Sequence, residues 1–169
     1  MSSEGAPTER ARGTVGAAGV RIAILVSRFN ADVTDRLLQG ALDCLNEHGA
    51  EDDLVDVYHV PGAWELPQAA ARVVRLGRHD ALVALGCVIR GETPHFDYVA
   101  SEASAGLGEV ARSSRIPLAF GVLTTDDRPQ ALARADDGPG NKGYEVTLGV
   151  LEMVALYETL DGHEGGGDS

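Results

Sequence analysis

The sequence predicts an α/β domain of three layers, αβα: a flavodoxin-like open sheet of four parallel strands with helices on both faces. Three observations carry that expectation. Short β-rich apolar runs alternate with stretches of helical periodicity in the order βαβαβαβαα, which calls for parallel strands joined by helical crossovers. The third run, 81–89 (ALVALGCVI), is apolar throughout, as a strand covered on both faces should be. Turn and stop signals punctuate the runs, and right-handed crossovers then leave few topologies.

Residues 21–27 (RIAILVS) read as the first strand. A helix over 33–48 places Leu37, Leu38, Ala41, Leu42 and Leu45 on one face, and Gly49 supplies the stop. Residues 54–60 (LVDVYHV) alternate as a second strand and end at the Pro61-Gly62 turn. The stretch 65–76 is helical, with Pro67 where a first turn tolerates proline. After the third strand, 94–114 form a long helix and 116–124 (IPLAFGVLT) the fourth strand. A short helix over 127–135 has Pro129 in its first turn, and 136–143 is a Gly/Pro loop. The last helix, 144–160, lines up Val146, Val150, Met153, Val154 and Tyr157. The domain is expected over 20–160, after a flexible arm at 1–19 and before a Gly-rich, acidic, disordered tail at 161–169. Residues 15–20 of the arm are expected to reach a neighbour's sheet edge.

Length and composition narrow the function. The 169 residues suit one domain, and 44 % hydrophobic against 24 % charged residues excludes intrinsic disorder. The apolar runs fall far short of the ~18 residues of a membrane span, and no apolar signal core opens the chain. The expectation is a soluble cytoplasmic protein with no membrane partner. Cys44 and Cys87 lie in apolar patterns that read as core rather than as a disulfide framework. A net charge of −12, scattered arginines and a single lysine, Lys142, leave no basic patch for nucleic acid. An anionic substrate would need a local positive site working against that global field.

In open parallel sheets, ligands bind beyond the carboxyl ends of the strands. Four segments lie there: 27–30, 60–65, 87–95 and 124–127. In Gly91-Glu92-Thr93-Pro94-His95, a glycine precedes a helix N-terminus whose free N–H groups suit an anion. His95 falls in the first turn, and imidazole is the side chain suited to moving protons near neutrality. The plainer reading makes Thr93 the N-cap and His95 merely exposed. Phe29 stands in a polar turn, where an aromatic ring can stack on a flat ligand. Trp64, the only tryptophan, sits beside Glu65 after the second strand. Two aromatics and a carboxylate at neighbouring strand ends suit a planar heterocycle with N–H donors.

The segment 138–143 matches G-x-G-x-x-G by letter, but a dinucleotide fingerprint needs a strand immediately before it, and here a helix precedes. Lys142 within it remains a candidate contact. Arg134 is a candidate phosphate clamp because its planar fork pairs bidentately with phosphate. His48, His59, His79 and His163 show no metal-ligand spacing with either cysteine, so no metal is expected.

Taken together, RFN (28–30), VPGAWELP (60–67), ALGCVIRGETPHFDYV (84–99), FGVLTT (120–125) and GNKG (140–143) resemble the lumazine synthases, in order and across about residues 20–160. Each motif alone is modest, but five in register are highly specific. The archaeal-type riboflavin synthases share the fold and fit these motifs less well. The resemblance implies condensation of 5-amino-6-(D-ribitylamino)uracil with 3,4-dihydroxy-2-butanone 4-phosphate to 6,7-dimethyl-8-ribityllumazine, phosphate and water, a step of riboflavin biosynthesis, with no metal or organic cofactor. It implies that Phe29 stacks on the pyrimidine, and that Ala63, Trp64 and Glu65 frame it and hold the ribityl chain. Cys87, Val88 and Ile89 would contact the pyrimidine edge through backbone. Glu92 and Thr93 would offer amides to the phosphate, with Arg134 as counter-charge, and His95 would carry protons. Phe120, Arg134 and Lys142 would come from the neighbouring subunit.

Against the family pattern, Trp64 replaces a usual Phe or Tyr, Cys87 a common Thr, and 136–139 (DDGP) a stretch that commonly carries Gly and Lys. The family implies a homo-oligomer built from pentamers, as free pentamers, decamers or a hollow shell of twelve pentamers. The length of the 136–143 loop, and Asn30 rather than Pro after Phe29, point to the sixty-subunit shell, with a riboflavin synthase as a candidate partner. A non-enzymatic carrier or a purely structural shell protein of this fold would have no use for both His95 and Arg134.

Overall fold

A computed structural model describes residues 15–164. Four strands, β1 (Ile22–Ser27), β2 (Val55–Val60), β3 (Ala81–Ile89) and β4 (Leu118–Thr125), form one parallel sheet in the order β2-β1-β3-β4. Five α-helices connect and cover it: α1 (Ala31–Glu47), α2 (Leu66–Leu76), α3 (His95–Ser113), α4 (Arg128–Arg134) and α5 (Lys142–Glu164). Short 3-10 turns at Asp52–Leu54 and Ala63–Glu65 introduce β2 and α2.

Pleating sends alternate side chains of each strand to opposite faces, and the two faces have separate cores. Ile22, Ile24 and Val26 of β1 pack with Val33, Leu37 and Leu45 of α1 and Val150, Leu151 and Val154 of α5. Ala23 and Leu25 meet Leu66, Ala70 and Val73 of α2 and Ala103 and Leu107 of α3 on the other face. β3 is central, which explains its unbroken apolar run: residues Ala81 to Val88 are all buried. β2 is an edge strand and half-exposed, which explains its alternation.

α5 approaches α1 so closely that the GNKG segment becomes an interlock. Asn141 is buried; its Nδ2 donates to the carbonyls of Arg36 and Ala135, each at 3.0 Å. Its Oδ1 accepts from the Tyr144 N–H at 3.1 Å, capping the helix. A Cβ on Gly143 would run into the Leu37 carbonyl, so only glycine fits there.

The expected boundaries shift at both ends of the domain. Residues 15–20 are not free to leave the chain: Ala17 is buried, its N–H donates to the His48 carbonyl, and Val15 and Val20 join the core beside α1. The small side chain of Ala17 lets the backbone press into the end of α1, which the Gly- and Ala-rich composition disguised. The rest of the expected arm, 1–14, lies outside the described residues. α5 continues through Glu164, past the expected start of a disordered tail at 161; residues 165–169 lie outside the described residues. Among the described residues no helix is long and apolar enough to cross a membrane.

Candidate active site

The strand order puts β1 and β3 side by side, with their crossovers leading away to opposite sides. A crevice opens at such a switch point. Here it is a groove of about 780 Å³, lined by the ends of β1, β2 and β3 and the first two turns of α3. Phe29, Ala63, Trp64, Glu65, Cys87, Val88, Ile89, Thr93 and His95 all line it. Phe29 is 71 % exposed and Trp64 51 %, so both rings face the open groove instead of packing beneath loops.

The turn holding Phe29 is tightly fixed. Its N–H donates to the Pro61 carbonyl, and the Arg28 N–H donates to Val60, joining the ends of β1 and β2. Asn30 then takes the left-handed conformation, φ 63° and ψ 47°, the only non-glycine residue with positive φ among those described. Asparagine tolerates that region better than bulkier side chains. Its Nδ2 reaches across to the Cys87 carbonyl at 3.0 Å, and its Oδ1 accepts from Arg128 Nη2 at 3.1 Å.

Glu65 folds back, its Oε2 accepting from the Gly62 N–H at 3.0 Å. The carboxylate therefore orients its own turn while keeping a second oxygen for a ligand. Cys87 is buried, and burial pushes its thiol up to about 11. The thiol stays protonated and inert at neutral pH, leaving backbone as what this position offers.

α3 starts at His95, with Pro94 as N-cap and no side-chain cap. Thr93 is therefore not the cap. Proline has no N–H and fixes its φ, so it takes the junction itself. Among the described residues, the opening N–H groups of α3 are left without a side-chain partner, beside an exposed His95 and a groove with no Lys or Arg in its lining. Arg90 braces this corner from outside: its Nε donates to Asp126 Oδ1 at 3.1 Å, and Nη1 lies 3.7 Å from Asp97 Oδ1. Its guanidinium lies 4.5 Å from the centre of the Phe96 ring. Two carboxylates already answer that charge.

Four expected site residues lie outside the groove. Glu92 is exposed on the bend beside it. Phe120 stands midway along the edge strand β4, paired in register with Ala84 and 41 % exposed. Arg134 ends α4, one Nη donating to the Gln130 carbonyl at 3.1 Å. Lys142 begins α5, its Nζ 2.9 Å from Glu145 Oε1. One chain thus brings together Phe29, Trp64 and His95 but not Phe120 or the two cations.

Tyr98 (71 % exposed), Phe96 and Val99 also line the groove and were not among the expected residues. Tyr98 and Val99 stand three and four residues after His95, on its helix face, which was the signal available, and Phe96 follows it directly. The bridge from Asn30 to Cys87 and Arg128 carried no local signal, because those partners lie 57 and 98 residues away. His79 is a core histidine, its Nε2 2.7 Å from Asp56 Oδ2 and its ring edge-on to Tyr58. No cluster of three or more potential metal ligands occurs among the described residues.

Comparison with known proteins agrees with the geometry. Residues 19–158 match the family model described as 6,7-dimethyl-8-ribityllumazine synthase. A protein of that name from Chlorobium phaeobacteroides is 52 % identical over 145 residues, covering 86 % of this chain and 94 % of the relative. One from Chlorobium chlorochromatii is 45 % identical over 152 residues, covering 90 % and 98 %. A third, from Desulfatibacillum aliphaticivorans, is 51 % identical over 146 residues, covering 86 % and 94 %. With a matching family model over most of its length and three relatives above 40 % identity, the chain belongs to the 6,7-dimethyl-8-ribityllumazine synthase family.

Proposed function

We propose that this protein condenses 5-amino-6-(D-ribitylamino)uracil with 3,4-dihydroxy-2-butanone 4-phosphate to give 6,7-dimethyl-8-ribityllumazine in riboflavin biosynthesis, at active sites divided between adjacent copies of the chain. The observation that supports this most is the groove itself: an aromatic-walled slot ending at an uncapped helix start and His95, with no cation in its lining among the described residues. Such a slot suits a planar pyrimidine at one end and a phosphate at the other. The counter-charge must then come from elsewhere, and Arg134 and Lys142 lie on another part of the surface.

In this reading Phe29 stacks on the pyrimidine, Trp64 walls it, and Glu65 and the Ala63 backbone hold the ribityl chain. Backbone of Cys87, Val88 and Ile89 meets the pyrimidine edge. The amides of Glu92 and Thr93, with Arg134 and Lys142 from the neighbour, take the phosphate, and the neighbour's Phe120 closes the pyrimidine end. The 5-amino group adds to the ketone and loses water to form an imine. Loss of a carbon-bound proton then expels phosphate from the adjacent carbon, leaving an enol that tautomerises to a ketone. The ribitylamino nitrogen attacks that ketone, and loss of a second water closes the ring. His95 moves protons at the elimination and dehydration steps. Arg134 and the helix amides stabilise the departing phosphate. Holding the two reactants together supplies much of the remaining acceleration.

We further propose an assembly of pentamers, up to the sixty-subunit shell, in the cytoplasm, where two buried unpaired thiols would persist. A riboflavin synthase is the natural consumer of the product and a candidate guest. Mixing the two substrates with the protein and following lumazine absorbance tests the reaction; no lumazine above the uncatalysed rate overturns it. Light scattering tests the assembly. A mass near one megadalton, sixty copies of 17.7 kDa, supports the shell, and about 90 kDa leaves only the pentamer. An active monomer overturns the divided site.

A further inference from the structure

We infer that Arg128, anchored by Asp32, is a positioning residue for pyrimidine binding: it holds the Asn30 side chain against the end of β3 and so sets the Phe29 wall of the groove. The inference rests on the proposal that Phe29 stacks on the pyrimidine. Arg128 is the first residue of α4 and does not line the groove. Its Nη2 donates to Asn30 Oδ1, and its Nη1 binds the Asp32 carboxylate in the first turn of α1. Asn30 Nδ2 in turn donates to the Cys87 carbonyl. Three separate elements, the β1–α1 turn, the end of β3 and the start of α4, therefore meet on one amide.

The chemistry of the groups fixes the arrangement. Arginine can only donate, so it accepts just one orientation of the asparagine amide, with Oδ1 toward itself. That orientation obliges Nδ2 to face the Cys87 carbonyl. Without Arg128 the Oδ1 loses its partner, and the single bond to the Cys87 carbonyl is all that orients the amide. The backbone of Asn30 is in the left-handed region, which persists only where surroundings hold it. Phe29 precedes it directly, and a relaxed Asn30 would swing that ring. Asp32 completes the lock by taking the other arm of the guanidinium fork, so the arginine cannot rotate away from Asn30.

The test uses the full-length enzyme and Trp64, the only tryptophan in the chain and a groove residue, as the fluorescent probe. Arg128→Ala is expected to raise the Kd and KM for the aminopyrimidine about three- to tenfold, the scale of one ordinary hydrogen bond. The KM for the butanone phosphate should stay within about twofold, and saturating pyrimidine should restore kcat. Arg128→Lys should fall between, because one ammonium cannot hold both Asn30 and Asp32 as the fork does. Equal losses for both substrates would mean general damage to α4 and overturn the positioning role. So would wild-type pyrimidine affinity in Arg128→Ala when Phe29→Ala has lost it. Wild-type affinity in Phe29→Ala as well would instead overturn the assignment of the pyrimidine to this groove. If Arg128→Ala does not fold, Asp32→Asn, an exposed change, decides in the same assay: a selective rise in pyrimidine KM supports the lock, and an unchanged KM overturns it.

Discussion

The groove at the carboxyl end of the sheet and the corner where α4 meets α5 differ in what each lacks. The groove has volume, aromatic walls, a histidine and an uncapped helix start but, among the described residues, no arginine or lysine in its lining. The corner has Arg134 and Lys142 on its surface, in a chain of net charge −12, and neither lines the groove. A cavity without counter-charge and a counter-charge without cavity are each poor sites for a phosphate ester. Placed against each other by two copies of the chain, they would make one good site. The same placement would also cover exposed aromatics. Phe29, Tyr98 and Phe120 leave large apolar rings in solvent, which an isolated domain has little reason to do.

The sharpest way to break this comparison is to disable the two regions in different chains. Arg134→Ala should cost about a thousandfold or more in kcat/KM for the butanone phosphate, the scale of stranding a desolvated charge. Phe29→Ala should weaken pyrimidine binding. Co-expressed in one assembly, the two variants should regain a measurable fraction of wild-type activity, because some sites then combine an intact groove with an intact corner. No recovery in confirmed mixed oligomers would place both residues in one chain's site. Arg134→Lys should restore part of the loss.

A smaller effect is expected within the groove. His95→Ala should slow kcat by about ten- to a thousandfold, less than Arg134→Ala, while both substrates still bind. Calorimetric titration of the variant measures that binding directly. Lost affinity would recast His95 as a binding group instead of a proton carrier.

Stability distinguishes the two regions as well. Asn141→Ala leaves the Arg36 and Ala135 carbonyls and the Tyr144 N–H without their partner. It should destabilise the fold by about 1–3 kcal/mol, seen as a lowered denaturant midpoint. The KM for the butanone phosphate should rise with it, because Asn141 joins the residues that follow Arg134 to the start of the helix carrying Lys142. A raised pyrimidine KM alone would contradict the division of labour.

The mildest predictions concern ionisation. Arg128 beside Asp32 holds that carboxyl below the usual carboxylate range. A depressed value means the pair adds stability above about pH 4 and loses it as pH falls through the lowered value. The stability difference between wild type and Asp32→Asn should therefore vanish on acidification and be constant from pH 6 to 8. Burial pushes the Cys44 and Cys87 thiols up to about 11. At pH 8 both should react with an aromatic disulfide reagent only slowly, and rapidly once the chain is unfolded.

Much of this was legible in the chain. The apolar run of β3 announced a central strand, because a strand buried on both faces tolerates no polar position. The alternation of β2 announced half-exposure, which an edge strand has. Pro129 marked the first turn of α4 correctly, while Asp127, expected as its first residue, is instead its N-cap and accepts from the Gln130 N–H. Thr93 misled as a cap, since cap preferences describe side-chain hydrogen bonding and Pro94 took the position by backbone geometry. The 15–20 stretch misled because small residues read as linker, although smallness is also what close packing against α1 requires.

Periodicity, turn chemistry and motif order determined the sheet, its helices and the strand ends where chemistry would gather, because those signals act within a few residues. Only the tertiary structure decided which strand ends meet, that Phe29, Trp64 and His95 share a groove from which Arg134 and Lys142 are absent, and that Asn30 joins three elements. The Asn30–Arg128 contact spans 98 residues of sequence. Hydrogen bonds of that kind depend on where the packed sheet and helices deliver two side chains, and no local propensity encodes that meeting.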